Sequence, residues 1–169
     1  MSFKRVILSG LLVVGFPCSV LAGDGISAHN LFQSLIGRPD SSKFYLGMFT
    51  QHINPNSQKK DNNVNNIVGV NYNGLFLGGF SNSYGKLTVG FGMQRDWHES
   101  DIGQSHWHYA LGYRLGAMIG YDNRLCHYCG DLPAVPFIIP YLHLSYKRVG
   151  VEVQYAYVLV SASFFYRFG

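Results

Sequence analysis

A chain of 169 residues accommodates one domain, and 15% aromatic against 13% charged residues is more apolar surface than a small soluble core requires. A formal net charge of +4 leaves little to neutralise a run of phosphates, which argues against a nucleic-acid partner. The excess apolar surface raises two possibilities, a densely packed soluble sandwich or a protein whose solvent is lipid.

Lys4 and Arg5 precede an apolar run from Val6 to Phe16, followed by Ser19-Val20-Leu21-Ala22 and a break at Gly23. That is the three-part pattern of a secretory signal, expected to be removed over residues 1–22. Removing Lys4 and Arg5 with it lowers the formal charge from +4 to +2. The run is short for a membrane-spanning helix, and nothing later offers the roughly 18 unbroken apolar residues such a helix needs.

Residues 23–42 read as an amphipathic helix and linker. Ala28, Leu31, Phe32, Leu35 and Ile36 recur at helical spacing, ending at Gly37 before Pro39. Such a helix either plugs the main body or lies at a membrane interface.

From Lys43 the period changes to two. Extended segments are predicted at about 43–53, 64–73, 74–82, 86–97, 105–121, 135–147, 149–158 and 161–168. In the fifth, Trp107, Tyr109, Leu111, Tyr113 and Leu115 alternate with His108, Ala110, Gly112, Arg114 and Gly116. Long alternation with aromatics toward the ends marks a strand crossing a membrane, its apolar side to lipid. Eight such strands after a signal peptide predict an all-β fold over 43–169, an antiparallel transmembrane β-barrel, because only closure satisfies every backbone group in lipid. The expected location is the outer membrane of a Gram-negative bacterium.

Read by depth, the inward faces divide. Glu152, Arg167, Asp96 and Lys147 fall low and are expected to pair with one another; Arg114 sits midway with no assigned partner. Higher up, Gly90, Gly92, Gly112, Gly116, Met118, Phe137 and Ile139 form a small apolar lining, suited to an acyl chain. The alternative is that the glycines only relieve crowding in a tightly curved wall.

Two stretches then carry a family resemblance. Phe80-Ser81-Asn82-Ser83-Tyr84-Gly85-Lys86 resembles the aromatic, Lys, Asp, Ser, aromatic stretch of the PagP lipid A palmitoyltransferases. Leu132-Pro133-Ala134-Val135-Pro136-Phe137-Ile138-Ile139-Pro140 is similar to that family's proline-spaced strand, where missing backbone donors let lipid enter from the side. The resemblance implies an eight-stranded barrel with an N-terminal helix that moves a palmitoyl chain from a phospholipid donor to a lipid A acceptor, as a monomer and without a cofactor. It assigns His52 and Ser83 to the family's catalytic histidine and serine, and puts Asn82 where the family has Asp. An amide cannot take a proton as a carboxylate can. On chemistry alone, His52 can serve as base, Ser83 as hydroxyl or oxyanion donor, and Asn82 as an amide donor. The same residues also suit a lipid esterase, with water as the acceptor. They equally suit the polar rim of a structural or adhesin-like barrel.

Cys126 and Cys129 fall in a predicted outer loop, where a local disulfide is expected; a redox or zinc role for Cys126-His127-Tyr128-Cys129 would need partners that the spacing does not supply. His106 and His108, i and i+2 on one strand, suggest a hydrogen-bonded pair in the lower lumen or a weak metal site.

Overall fold

A computed structural model of the protein describes residues 33–34, 36–53, 64–121, 132–156 and 159–169. The expected signal sequence, most of the expected helix and the Cys126–Cys129 pair lie outside these residues. Of the helix, Gln33, Ser34 and Ile36 are helical, and the Gly37 N–H closes the turn on the Gln33 carbonyl at 2.8 Å.

The strands are β1 (Lys43–His52), β2 (Val68–Tyr72), β3 (Leu75–Ser81), β4 (Leu87–Asp101), β5 (Trp107–Ile119), β6 (Val135–Tyr146), β7 (Val149–Ala156) and β8 (Leu159–Arg167). Each pairs antiparallel with the next, and β8 returns to β1 through His52↔Leu159 to Lys43↔Arg167, so the sheet closes into an eight-stranded barrel. Closure leaves none of these eight strands as an edge, and the alternation gives each strand one face for the lumen and one for the outside.

The outer face is apolar around the whole wall, with Phe44, Leu46, Leu77, Phe91, Leu115, Leu142 and Phe164 among its exposed residues. The inner face holds Tyr45 in ring contact with both Phe76 and Phe165, surrounded by buried polar side chains. Apolar side chains outside and polar ones within reverse the usual soluble pattern and are compatible with a barrel whose exterior meets lipid.

Three departures from simple alternation position the site. In β1 a one-residue bulge at Gly47, with φ of 74°, shifts the register between Leu46 and Met48. Lys43 and Tyr45 face inward below it, and Met48, Thr50 and His52 face inward above it. β2 is shorter than expected: Asn66, with φ of 36°, interrupts the extended run, and above it the pairing with β1 continues through a Phe49↔Val64 bridge and a bond from Asn65 N–H to the Met48 carbonyl. β4 runs longer than expected, to Asp101, carried by its pairing with β5 through a second irregularity between Asp96 and His98. At the opposite end from His52, Arg38 and Pro39 pair with Asp96 and Arg95, which leads Asp40 into the lumen.

Candidate functional site

The lower lumen is a filled ionic network. Glu152 on β7 accepts from Tyr45 Oη at 2.8 Å, Gln94 Nε2 at 2.9 Å and Arg114 Nη2 at 2.8 Å. Arg114, to which the sequence assigned no partner, also donates to Gln94 Oε1 at 2.8 and 3.0 Å and to Gln154 Oε1 at 3.3 Å. Its guanidinium lies 3.8 Å from the Phe76 ring centroid, a cation–π contact that completes its enclosure.

Beneath it, Lys43 Nζ sits 2.7 Å from Asp40 Oδ1 and 2.8 Å from His143 Nδ1, and Asp96 Oδ1 accepts from Tyr141 at 2.6 Å. Asp40, Asp96 and His143 bring ligand atoms within 4.8 Å of one another, a spacing a metal ion could use. The Lys43 ammonium already supplies positive charge to two of the three.

Of the other expected low charges, Arg167 donates to Ser145 Oγ at 3.2 Å. Lys147 does not join the network: it occupies the β6–β7 turn at φ of 55°, exposed and beside the Tyr146 ring. His106 and His108 are not paired with each other either. His106 falls in the turn before β5, whereas His108 Nδ1 lies 3.0 Å from Asp101 Oδ1 and its ring stacks on His143.

Above Arg114 the lumen changes character. A cavity of about 100 Å³ is bounded mainly by Met48, Phe76, Phe80, Met118, Phe137 and Ile139, with Arg114 and Gln154 at its floor. Gly90 also lines it, and a Cβ there would meet Phe76 and Phe137 at ordinary contact distance, 3.8 and 3.9 Å.

The other inward glycines expected to line an acyl slot do something else. A Cβ on Gly92 would stand 2.2 Å from the Leu115 carbonyl oxygen, one on Gly116 2.0 Å from that of Phe91, and one on Gly112 2.1 Å from that of Arg95. At each of the three the nearest atom is a backbone carbonyl oxygen of the paired strand, so the missing side chains make room for backbone rather than ligand.

At the mouth, His52 Nε2 lies 3.0 Å from Ser83 Oγ. His52 is buried and is the register partner of Leu159, which lines the cavity. Two features bring together residues 31 positions apart. The Gly47 bulge turns His52 inward, and residues 64–67 bridge the gap that the short β2 leaves between β1 and β3. Within that bridge Asn65 is buried: its N–H donates to the Met48 carbonyl at 3.0 Å, its carbonyl accepts from Ser81 N–H at 2.9 Å, and its Nδ2 donates to Thr50 Oγ1 at 2.8 Å. It therefore ties the strand that ends in His52 to the strand that leads to Ser83. Sequence reasoning passed over Asn65; the Asn65-Asn66 dipeptide before Ile67 was the available signal for a break in the strand.

Asn82 is buried beside Ser83, yet its hydrogen bonds run into the turn, to β4 and to Gly120 just past the end of β5. Its Oδ1 accepts from the N–H groups of Tyr84 (2.9 Å) and Lys86 (3.0 Å), and its Nδ2 donates to Thr88 Oγ1 (3.1 Å) and the Gly120 carbonyl (3.3 Å). Tyr121, also on the cavity wall, has its hydroxyl pushed up to about 12 by burial, with Tyr84 adding to the shift, so it stays a neutral donor at pH 7.

These parts define a closed β-barrel with an apolar cavity in its upper lumen and a histidine–serine pair at the mouth of the barrel, where His52 pairs in register with the cavity-lining Leu159. Compared with known proteins, the chain matches no family model and none of the curated sequences.

Proposed function

We propose that the protein is an outer-membrane acyltransferase that moves a fatty acyl chain from a phospholipid to lipid A, with the start of the chain held in the upper lumen. The observation that carries this reading is the His52 Nε2 to Ser83 Oγ distance of 3.0 Å at the mouth of the barrel, with His52 in register with Leu159 of an apolar cavity, in a barrel whose outer wall is itself apolar. An ester carbonyl brought to that mouth meets a hydroxyl and a base in hydrogen-bond contact, the pairing acyl transfer requires. The apolar wall supports a membrane location, and the likeness of residues 80–86 to the PagP stretch supports the acceptor.

In the chemistry that follows, His52 takes the proton from the attacking hydroxyl and returns it to the departing lysophospholipid oxygen. Either a sugar hydroxyl of the acceptor attacks directly, or Ser83 attacks first and the sugar hydroxyl then displaces the acyl group from Ser83, its proton passing through His52 to Ser83 Oγ. A cavity of about 100 Å³ closed by Arg114 receives only the first few methylenes, well below the roughly 300–1,000 Å³ of a pocket that engulfs a drug-sized ligand. The reading therefore commits to an acyl chain and not to palmitoyl length.

That small volume also favours a second reading, a structural barrel whose lumen is essentially full. Expression in a Gram-negative host lacking its own lipid A acyltransferase separates the two. Lipid A is expected to gain one acyl chain by mass spectrometry, and His52→Ala or Ser83→Ala to abolish the gain. Unchanged lipid A from a folded, membrane-inserted barrel would sink the proposal. Free fatty acid without a new lipid species would redirect it to an esterase using the same pair.

A further inference from the structure

The side chain of Asn82 is surrounded by groups that cannot change roles. The backbone N–H groups of Tyr84 and Lys86 can only donate, so the atom facing them must be an acceptor. The Gly120 carbonyl can only accept, so the atom facing it must carry a hydrogen. A carboxamide is the one side chain of this size that offers two acceptor sites on one atom and two donors on the other, and here all four are used. The backbone of the residue is engaged too: its N–H donates to the Lys86 carbonyl at 2.8 Å, and its carbonyl accepts from Gly85 N–H at 2.9 Å. Thr88, the side-chain partner on β4, is itself fully buried.

Every one of these bonds shapes the β3–β4 turn or pins it to β4 and to Gly120 just past β5, and neither amide hydrogen is left over for a reacting carbonyl oxygen. An ionised carboxylate of the same shape would keep the bonds from Tyr84 and Lys86 and could accept one from Thr88. Opposite the Gly120 carbonyl, however, it would set oxygen against oxygen in a buried site. The position demands an amide for reasons of geometry.

We infer that Asn82 is a positioning residue whose amide anchors the β3–β4 turn to β4 and to Gly120, just past the end of β5, and so holds Ser83 at hydrogen-bond distance from His52, rather than a group that acts on substrate or charges the histidine. The catalytic meaning of this inference rests on the acyltransferase reading; the geometric claim does not. The opposite possibility is sharp, since an amide standing in for a carboxylate that orients His52 would make Asn82→Asp neutral or beneficial.

The experiment uses the full barrel folded in detergent micelles, with histidine labelled by nitrogen-15, together with acyl-transfer kinetics in mixed phospholipid and lipid A micelles. Ser83→Ala supplies the His52 Nε2 resonance expected when the contact is absent. Asn82→Asp is expected to move the resonance toward that reference and to lower kcat by about a hundredfold, with KM little changed, as for a misplaced reacting group. Thr88→Val, which removes one anchor without adding charge, is expected to move both in the same direction by less, and Thr88→Ser to recover most of the loss. The Thr88 pair decides the matter if Asn82→Asp does not fold.

An unchanged resonance with unchanged or higher kcat in Asn82→Asp overturns the inference, as does a fall in kcat that leaves the resonance in place. If the wild-type barrel transfers no acyl chain, the acyltransferase reading fails, and the resonance alone still decides whether Asn82 positions Ser83.

Discussion

Replacing Arg114 by Met tests whether the lower lumen is a mutually dependent ionic network. Arg114 gives four hydrogen bonds to Gln94, Gln154 and Glu152 in a buried site. Without it, fully buried Glu152 faces Lys43 at 3.9 Å as its remaining cation, and that ammonium is already engaged by Asp40 at 2.7 Å. Breaking a buried pair by removing one partner costs about 3–5 kcal/mol, because the other charge is left without compensation. Glu152→Gln, which strands Arg114, is expected to cost a similar amount. The Arg114→Met, Glu152→Gln double variant strands neither, so its cost should fall short of the sum by about 2 kcal/mol. Urea titration of the barrel folded in lipid vesicles, followed by the fluorescence of Trp97 and Trp107, gives all four stabilities. Single variants within about 1 kcal/mol of wild type, or strictly additive losses, would refute the network as the source of lower-lumen stability.

Gly116→Ala is expected to cost about 3 kcal/mol or more in the same titration, because its Cβ would stand 2.0 Å from the Phe91 carbonyl oxygen, whereas Gly90→Ala, at 3.8 Å from Phe76, should be tolerated. Gly47→Ala should cost about 1–3 kcal/mol from its φ of 74° alone, since the added methyl reaches only Phe164 at 3.9 Å. A near-zero value would show that the bulge relaxes at no cost. Asn65→Ala removes the donor to Thr50 while keeping the two backbone bonds; it should lose about 1–2 kcal/mol of stability and reduce acyl transfer more than binding, as a kcat measurement would show.

The strand count and the inward faces of β6, β7 and β8 were legible because those strands alternate without interruption, so Tyr141, His143, Glu152, Gln154, Ser161 and Ser163 could be placed in the lumen from period alone. The partners of Arg114 were not legible. They come from β4 and β7, 20 to 40 residues away, and which inward residues share a level depends on the stagger between strands, which a single strand's pattern does not contain. The glycines failed for a related reason. Period two shows that Gly92 and Gly116 face the same side, but not that their backbones oppose each other as a register pair and leave no space between them. Asn82 was read as part of the chemistry because it adjoins Ser83 in sequence; its actual partners, Thr88 and Gly120, become visible only when the turn is built.

Alternation counted from Lys43 through β1 would place Gly47, Phe49 and Gln51 in the lumen and send Met48, Thr50 and His52 to the outside. The Gly47 bulge reverses this, since one extra residue moves every later side chain to the other face. Phe49 consequently stands on the outer wall, in edge contact with Phe164, instead of filling the upper lumen. Met48 takes a place on the cavity wall with its Sδ 3.9 Å from Gln154 Nε2, at the floor, while His52 reaches the mouth. One glycine with positive φ thus keeps the cavity open and delivers the histidine to Ser83. The position that looks like a weak point in the strand is where the cavity and the candidate chemistry become compatible.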